Sequence, residues 1–317
     1  MVLGAGLSGL VAARNLAASG HQVVVIEQGG SVGGRLATTQ IGDATLDDGA
    51  QFFTVRGEDF RSFVEPLIEA DLIFEWCDGF DDPPDGYPRF ATTGGMSALA
   101  QHLSAGLDIR TGVQATALGR TDSGWSVTWD GGSLDASALI ATPPVPQTLA
   151  LLDAGAAGVD ATMSGLHDIA YQPTLAALVV LDGPSALPRP GGRQLDDGAF
   201  TFVADNRLKG ISSTTAVTLH SDHDLARDRW EDRDEAVLSD LIEAGCAWLG
   251  DSPVLGARLH KWNYAGPVEV WPQACAVAVD GEAPLLLAGD AFDGPKVEGA
   301  FRSGLAAARE LYDRLAG

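Results

Sequence analysis

The chain has 317 residues and is strongly acidic, with 43 Asp and Glu residues against 20 Lys and Arg and a formal net charge of −23. This charge disfavours nucleic acid and anionic membrane surfaces as partners. Hydrophobic residues make up 45% of the chain, which is long enough for two domains or one large interleaved pair. The apolar runs are shorter than the roughly eighteen residues of a membrane span, so we expect no membrane partner.

The cysteines are odd in number, and the spacing of Cys77, Cys246 and Cys275 is not typical of a metal site. This pattern favours a reducing compartment, so we expect a cytoplasmic location and no metal. The first twenty residues are apolar, but Arg14 interrupts them and no basic region precedes them. We therefore expect no signal peptide.

A glycine-rich turn opens the chain. Gly4, Gly6 and Gly9 form the pattern G-x-G-x-x-G between a short apolar run and a helical pattern that includes Leu7 and Ser8. In a strand–turn–helix–strand unit, the first glycine allows the tight turn, the second lets the backbone approach a pyrophosphate, and the third permits close helix packing. The N–H groups and dipole at the helix start favour phosphate, so this stretch predicts a dinucleotide site.

An acidic residue follows at the distance that such a site requires. A second apolar run ends at Glu27, eighteen residues after Gly9 and directly before Gln28. We expect Glu27 to accept hydrogen bonds from ribose hydroxyls and Gln28 to lie beside the cofactor. Because three residues precede Gly4, the first strand is either short at its entry end or begins upstream of Met1.

The residues after Glu27 indicate which dinucleotide is bound. Gly33, Gly34 and Arg35 follow it at a short interval, and Thr38 comes next. This arrangement, E-x5-G-G-R-x2-T, resembles the second fingerprint of the flavin-dependent amine oxidase superfamily. The resemblance implies that the loop wraps the pyrophosphate of FAD and that the arginine contacts it, which suits a guanidinium. We expect FAD rather than NAD.

We expect the FAD to be held without a covalent bond. Some relatives attach FAD through a cysteine, but the residues around Cys275, WPQACAV, do not match that attachment motif.

A second block carries a more specific resemblance. Residues 48–54, DGAQFFT, resemble the D-x-G-A-Q-[FY]-[FY]-T segment of renalase and its bacterial relatives. The resemblance implies that backbone at Gly49 and Ala50 passes over the isoalloxazine ring, and that Gln51 or Phe52 faces the substrate. The alternative is a strand whose phenylalanines lie in the core.

Further matches to flavoproteins lie in the middle of the chain. Residues 94–99, GGMSAL, resemble the GGM-x-x-L helix start of amine-oxidase-like proteins. Residues 108–117, 125–129 and 133–134 alternate around a turn and predict a small antiparallel meander. By resemblance, Val113 contacts adenine through its backbone.

The C-terminal stretch predicts a return to the cofactor. A strand over residues 285–288 leads into Gly289 and Asp290, which resemble the GD motif whose aspartate holds the ribityl chain. The helix that follows would point its N-terminus at the flavin N1–C2=O edge, where its dipole stabilises negative charge. The residues of this helix start are Val297, Glu298, Gly299 and Ala300. We expect Glu27, Arg35 and Asp290 to line one elongated cleft.

The fold class that follows is α/β: a Rossmann-type FAD-binding domain with a parallel sheet and a β-meander, interleaved with an α+β substrate domain. We assign residues 1–56, 91–144 and 267–317 to the first domain and residues 57–90 and 145–266 to the second. The second domain is predicted to hold helices over 145–152 and 231–249 and strands over 174–181, 199–203, 215–220 and 254–261.

Together with residues 260–265, HKWNYA, these blocks look most like bacterial renalase-type proteins. That family oxidises isomeric dihydronicotinamide dinucleotides to NAD(P)+, with hydride passing to flavin N5 and O2 giving H2O2. Gln51, His220, Trp262 and Tyr264 are the candidate catalytic residues, because positioning does most of the work in a direct hydride transfer. Trp262 and Tyr264, two residues apart on a strand, would share a face and could wall a planar substrate.

Two alternatives remain open. The first is a flavin amine oxidase, in which many members carry a lysine in a strand of the substrate half, whereas residues 174–181, TLAALVVL, contain none. The second is a non-catalytic FAD- or NAD-binding module, because fold alone does not prove catalysis.

Overall fold

The structure is a computed structural model that describes residues 1–81, 83–292 and 294–316, with Thr162 described by its backbone alone. The chain divides into two units. The first unit comprises Met1–Gly34, Ala100–Tyr171 and Gly266–Gly317. The second comprises Arg35–Leu99 and Gln172–Ala265.

Helices and strands alternate along much of the described chain. The α-helices are α1 (Leu7–Ala18), α2 (Glu58–Glu69), α3 (Ser97–Ser104), α4 (Val145–Ala154), α5 (Asn206–Lys209), α6 (His223–Asp228), α7 (Asp234–Ala244), α8 (Cys246–Leu249) and α9 (Lys296–Ala316). Short 3-10 helices span Gly34–Leu36 and Ala161–Asp168.

The two longest of the described strands, β12 and β16, form part of the sheet on which the second unit is built. They are β1 (Val2–Leu3), β2 (Val24–Ile26), β3 (Thr38–Ile41), β4 (Ala44–Asp47), β5 (Ile73–Cys77), β6 (Arg89–Thr92), β7 (Asp108–Arg110), β8 (Ala115–Thr121), β9 (Gly124–Trp129), β10 (Gly132–Ala136), β11 (Leu139–Ala141), β12 (Tyr171–Leu181), β13 (Gly192–Gln194), β14 (Phe200–Asp205), β15 (Ala216–Ser221), β16 (Val254–Pro267), β17 (Ala276–Val279) and β18 (Leu285–Leu287).

A six-stranded sheet forms the centre of the first unit, in the order β17-β18-β11-β1-β2-β7. Its pairs are parallel except at the edge, where β17 runs antiparallel to β18. Leu3 pairs with both Ile26 and Ala141, and Ala141 pairs with Leu287. The four central strands therefore end at the same edge of the sheet. Their residues are apolar and almost fully buried, as expected for a parallel sheet covered on both faces.

Helices α1 and α9 pack against each other closely enough to require a glycine. A Cβ placed on Gly304 would lie 2.2 Å from the carbonyl oxygen of Ser8. The α1 residues Ala12 and Ala13 are small and fully buried. The small residues on both helices thus allow the close approach of α1 and α9.

The predicted meander is the antiparallel sheet β10-β9-β8, but its first strand begins at Ala115 and not at residue 108, because residues 108–110 form β7 and pair with β2 in the parallel sheet. Its fully buried Trp125 donates its indole N–H to the carbonyl oxygen of Ala283 at 3.0 Å. Helix α4 belongs to this unit because Gly155, at its C-terminal end, brings its backbone against strand β8. A Cβ on Gly155 would lie 2.1 Å from the carbonyl oxygen of Leu118.

The second unit is built on the sheet β13-β14-β15-β12-β16. Strands β13, β14, β15 and β12 are paired antiparallel, and β12 is buried along nearly its whole length. The predicted strands of this region are confirmed, although β16 continues to Pro267, beyond the predicted end at residue 261. The helix predicted over 231–249 is wrong as one element: it is divided into α7 and α8 at Gly245, whose backbone packs against Leu219.

The unit boundaries differ from our predicted domain boundaries over residues 35–56, 91–99 and 145–171 and at residue 266. Residues 35–56 and 91–99 lie in the second unit, because the β3-β4 hairpin bonds to its strands: Thr218 Oγ1 donates to the carbonyl oxygen of Asp47 at 2.9 Å, and the N–H of Met96 donates to Asp47 Oδ1 at 2.7 Å. Residues 145–171 lie in the first unit, because α4 packs on β8.

In the described part of the chain, none of the helices combines the length and the apolar character that crossing a membrane would require.

Candidate functional site

The candidate dinucleotide site of the first unit lies where its parallel strands end. Gly4 follows β1, Glu27 follows β2, Thr142 follows β11, and Gly289 and Asp290 come directly after β18. Thr142 joins two of these turns, because its Oγ1 donates to the carbonyl oxygen of Leu3 at 2.8 Å. In parallel α/β sheets, ligands bind at the carboxyl ends of the strands.

The first turn has the backbone geometry that its glycines predict. Gly4 adopts a φ of +95°, a conformation that residues with a Cβ rarely adopt. A Cβ on Gly9 would lie 2.0 Å from the carbonyl oxygen of Gly4, so the helix could not pack here with a larger residue. A Cβ on Gly6 would meet nothing within 4 Å. Its side-chain position therefore leaves room for a ligand to approach the backbone.

The start of helix α1 offers hydrogen-bond donors. Gly6 occupies the N-cap position and, because it has no side chain, makes no side-chain capping bond. The first N–H groups, from Leu7 onward, lack intrahelical acceptors and carry the positive end of the helix dipole. Ser8 Oγ is buried and makes no hydrogen bond within the described residues. A phosphate or ribose oxygen at this position would satisfy both kinds of donor.

Glu27 is directed at the same turn. Its Oε2 accepts the N–H of Ala5 at 2.7 Å, and its Oε1 accepts the N–H of Gly29 at 2.6 Å. Each carboxylate oxygen can accept a further bond, so the residue can also accept ribose hydroxyls. The N–H of Val113 donates to the carbonyl oxygen of Glu27 at 2.9 Å, which places Val113 beside this site, while Gln28 is exposed.

The loop after β2 returns to the glycine turn. The N–H of Gly33 donates to the carbonyl oxygen of Ala5 at 2.9 Å. A Cβ on Gly34 would lie 3.5 Å from the Cα of Gly6, so the first and second glycine-rich segments lie against each other.

The start of helix α9 is also constrained by a glycine. A Cβ on Gly299 would lie 1.7 Å from the carbonyl oxygen of Gly294. Val297 and Gly299 are buried, whereas Glu298 and Ala300 are half-buried.

Asp290 lies between β18 and this helix and is largely buried. Tyr171 Oη donates to its Oδ1 at 3.4 Å. The neighbouring Gly289 donates its N–H to Ser303 Oγ at 2.9 Å, which ties the end of β18 to helix α9.

The residues of the first unit fit a flavin dinucleotide on these observations: two glycine-dependent helix starts, an unpartnered buried hydroxyl at Ser8, and a carboxylate at Glu27 that can accept further hydroxyls. Cys275 does not fit a covalent attachment. Burial raises the pKa of its thiol to about 11, which keeps the unreactive thiol form at neutral pH. The residue interacts with Glu310 and Arg314, which lie about 21 and 27 Å along α9 from the helix start at 1.5 Å per residue.

In the second unit, Arg35 lies against the predicted flavin-facing segment. Its carbonyl oxygen accepts the N–H of Ala50 at 2.8 Å, and a Cβ on Gly49 would lie 2.1 Å from the same oxygen. Arg35 Nη1 donates to the carbonyl oxygen of Ala265 at 3.3 Å. The predicted contact of Arg35 with a pyrophosphate, and its place in one cleft with Glu27 and Asp290, stay predictions.

Two of the predicted catalytic residues donate hydrogen bonds to the same backbone oxygen. His220 Nε2 donates to the carbonyl oxygen of Asp48 at 3.1 Å, and Trp262 Nε1 donates to it at 2.8 Å. Burial lowers the pKa of His220 to about 4, so its imidazole is neutral at pH 7. These two side chains fix the peptide that leads into Gly49.

The side chain of Asp48 pairs with a residue that sequence reasoning missed. Its Oδ2 lies 3.4 Å from His260 Nδ1 and accepts the hydroxyl of Thr39 at 2.9 Å. Burial raises the pKa of Asp48, and the nearby His260 counteracts this rise. Burial lowers the pKa of His260, and Asp48 counteracts this fall. The ring of His260 stacks on that of Trp262 at a centroid distance of 4.1 Å.

Gln51 belongs to a buried ion-pair network. Lys209 Nζ donates to Asp47 Oδ2 at 2.8 Å and to Gln51 Oε1 at 3.0 Å. Gln51 Nε2 donates to the carbonyl oxygens of Asp47 at 2.6 Å and of Gly49 at 3.1 Å. This bonding favours a positioning role for Gln51, and a substrate contact by it stays a prediction.

The remaining predicted residues of this unit have different surroundings. The ring of Phe52 packs against Trp76, Phe80 and Phe202, which agrees with the core alternative for this side chain. Tyr264 is half-buried on β16, two residues after Trp262 and hence on the same face of the strand.

The described residues contain no group of three or more His, Cys, Asp or Glu side chains that could hold a metal ion.

The fold and the strand-end turns define a Rossmann-like dinucleotide-binding protein, and residues 2–67 match the model for NAD(P)-binding Rossmann-like domains. Residues 68–312 match the model for flavin containing amine oxidoreductases, which is more than half of the chain. The chain therefore belongs to the flavin-containing amine oxidoreductase family, a class of flavin-dependent oxidoreductases.

Curated relatives match over a smaller region. A 4,4'-diapophytoene desaturase of Staphylococcus aureus strain Newman is 32% identical over 91 residues, which is 26% of this chain and 18% of the desaturase. The chain thus matches less than a fifth of the length of this relative.

Solved structures share the fold over the whole chain. A protein of Exiguobacterium sp. 255-15, provisionally assigned as a protoporphyrinogen oxidase, superposes with a TM-score of 0.75 at 14% identity, covering 100% of this chain and 98% of that one. Wild-type putrescine oxidase bound to putrescine gives a TM-score of 0.69 at 16% identity, and the match covers 99% of this chain and 98% of that one. An oxidoreductase from Methanosarcina mazei gives a TM-score of 0.64 at 15% identity, and the match covers 97% of this chain and 99% of that one.

Proposed function

We propose that the chain is an FAD-dependent oxidase that acts on a small reduced substrate and binds its FAD non-covalently. The observation that carries the proposal is the common edge at which Gly4, Glu27 and Gly289 follow neighbouring parallel strands of the first unit. Glu27 would hold the ribose, and the uncapped start of α1 would hold the pyrophosphate. Asp290 would bind the ribityl chain.

The substrate that the residues favour is an isomeric dihydronicotinamide dinucleotide, as in renalase-type proteins. Bound flavin supplies a hydride acceptor at N5 and a route for electrons to O2. The overall balance is one dihydronicotinamide, one O2 and one proton giving one NAD(P)+ and one H2O2. Since a dihydropyridine releases hydride without a base, the chain needs only to position the ring and exclude water.

The second unit supplies residues suited to positioning. His220 and Trp262 clamp the carbonyl oxygen of Asp48, so the following Gly49-Ala50 backbone is rigid. Trp262 and Tyr264, on one face of β16, offer aromatic surface for a planar ring.

Amine oxidation is the second candidate, because the family and putrescine oxidase, one of the solved structures that share the fold, point to amines. The buried lysine of this chain weakens that candidate. Lys209 has its ammonium bonded to Asp47 Oδ2, to Gln51 Oε1 and to the carbonyl oxygen of Gln51, so its three donors are engaged. It is not placed to activate water.

Anaerobic reduction of the purified protein tests the function. We expect a yellow protein whose absorbance near 450 nm is bleached by isomeric dihydronicotinamides and restored by air, with one H2O2 formed per substrate oxidised. Bleaching by putrescine or benzylamine alone would establish the second candidate. A protein that binds FAD but is bleached by neither class would contradict an oxidase role and favour a binding module.

A further inference from the structure

A buried carboxylate in the second unit has one oxygen that finds no hydrogen-bond partner among the described residues. Asp48 is 2% exposed, and its Oδ2 accepts the hydroxyl of Thr39 and approaches His260. Its Oδ1 is buried and makes no hydrogen bond within the described residues. Removing a carboxylate from water is costly unless it is paired, so the pairing with His260 is what makes this burial tolerable.

The imidazole of His260 is held in one orientation by its neighbours. Its Nδ1 faces Asp48 Oδ2 at 3.4 Å, and its ring lies nearly parallel to Trp262, with 28° between the planes. Trp262 is itself anchored by its bond to the carbonyl oxygen of Asp48. The same residue, Asp48, therefore fixes both rings of the stack, one through its side chain and the other through its backbone.

This orientation determines which nitrogen can meet a ligand. A carboxylate 3.4 Å from Nδ1 favours the tautomer that carries its proton on Nδ1, which leaves Nε2 as a hydrogen-bond acceptor on the opposite side of the ring. The side chain of His260 is 36% exposed, so the ring is accessible although Asp48 is not. Of the charged groups that act on His260, Asp48 favours the protonated ring and Arg258 disfavours it.

We propose that His260 is a substrate-binding residue whose Nε2 accepts a hydrogen bond from an N–H group of the substrate, and that Asp48 is the positioning residue that sets its tautomer. The proposal rests on the proposed oxidase function. An N–H donor is common to both candidate substrate classes, as the carboxamide of a dihydronicotinamide or the nitrogen of an amine. The stacked Trp262 would add a flat wall beside the bound group.

The tautomer can be tested without turnover. In flavin-loaded protein with 15N-labelled histidine, the ring resonances of His260, assigned with H260A, should report the Nδ1–H tautomer above neutral pH. In D48A the ring should shift toward the Nε2–H tautomer that free histidine prefers. If His260 is already Nε2–H in the unaltered protein, or if D48A leaves its tautomer unchanged, Asp48 does not set it.

Ligand binding tests the role of Nε2, with two pairs of probes that differ in N–H donors. One pair is nicotinamide and N,N-dimethylnicotinamide, and the other is benzylamine and benzyltrimethylammonium, each titrated into the oxidised protein by flavin absorbance. For one of the two pairs, we expect the probe with N–H groups to bind about tenfold more tightly than its methylated analogue, a difference that one hydrogen bond can supply. H260A should reduce that preference to less than about twofold, and H102A, at an exposed position of α3, should preserve it.

The outcomes separate the two sources of the N–H group. A preference only in the first pair assigns the carboxamide, and a preference only in the second assigns the amine. Equal binding within both pairs, or a preference that survives in H260A, overturns the proposal. Failure of the oxidase function would be seen separately, as flavin that no dihydronicotinamide or amine bleaches.

Discussion

Lys209 Nζ lies 2.8 Å from Asp47 Oδ2, and neither side chain of this ion pair is exposed. The pair joins helix α5 to the end of strand β4, directly before the segment that carries Gly49 and Ala50. Asp47 Oδ1 accepts two further bonds, from Thr38 Oγ1 at 2.6 Å and from the N–H of Met96. One carboxylate therefore organises three separate segments of the second unit.

Replacing the buried lysine should be strongly destabilising. In Lys209→Met the carboxylate of Asp47 stays buried without its counter-ion, and we expect the free energy of unfolding to fall by about 3–5 kcal/mol. Urea denaturation followed by circular dichroism measures this. Arg207→Met, at an exposed position of the same helix, is the matched control and should change stability by less than about 0.5 kcal/mol. Similar losses in both variants would show that the ion pair is not what stabilises this region.

Stability should depend on pH through His220. Its pKa is lowered by burial to about 4, so on acidification the unfolded chain binds a proton at this residue before the folded chain does. The contribution of His220 is therefore fully present above about pH 6.5 and is lost as the pH falls toward 4. At about 1.4 kcal/mol per pKa unit, the loss is about 3 kcal/mol.

The variant His220→Gln tests this titration, because glutamine keeps an N–H donor for the carbonyl oxygen of Asp48 and does not titrate. Urea denaturation at pH 7, 6, 5 and 4 should give a shallower decline for the variant than for the unaltered protein. Parallel declines would mean that His220 does not titrate differently in the folded and unfolded chains.

The packing of α1 on α9 should not tolerate an added methyl group. In Gly304→Ala the new Cβ would meet the carbonyl oxygen of Ser8, so the helices must separate. We expect a loss of at least about 2 kcal/mol in the free energy of unfolding and a lower flavin content after purification. Gly266→Ala is the control, since a Cβ there meets nothing within 4 Å. A stable, fully loaded Gly304→Ala protein would contradict the close approach.

Glu27 should contribute to FAD affinity through its charge. In Glu27→Gln one oxygen is replaced by an amide NH2, which cannot accept the N–H groups of Ala5 or Gly29. We expect the dissociation constant for FAD to rise about tenfold or more, measured by titrating the apoprotein. Glu282→Gln, at an exposed site of the same unit, should leave the affinity unchanged. An unchanged affinity in Glu27→Gln would exclude a ribose contact by this residue.

The sequence was most informative where function depends on backbone conformation. The spacing of Gly4, Gly6 and Gly9 predicts a turn that only glycine permits, and the structure places Glu27 at that turn as expected. These features are local, because each residue acts within one strand–turn–helix unit. Four strands of the second unit, β12, β14, β15 and β16, were predictable for the same reason.

The residues that the sequence did not reveal meet only through the tertiary fold. Lys209 and Asp47 are 162 positions apart, and a lysine before a glycine resembles an ordinary helix end. His260 and Asp48 lie on different elements, so no spacing rule connects them. The helix break at Gly245 was also hidden, and there the backbone lies close to the side chain of Leu219, a neighbour that only the tertiary fold supplies.

The strand order of the first unit has a consequence for biosynthesis. Strand β1 pairs with β11, and β11 pairs in turn with β18, which is synthesised more than 140 residues after β11. The nascent chain must therefore carry an incomplete sheet, with apolar edges exposed, until β18 has been synthesised. We therefore expect the protein to depend on chaperones during expression, and we expect products truncated before Leu285 to aggregate.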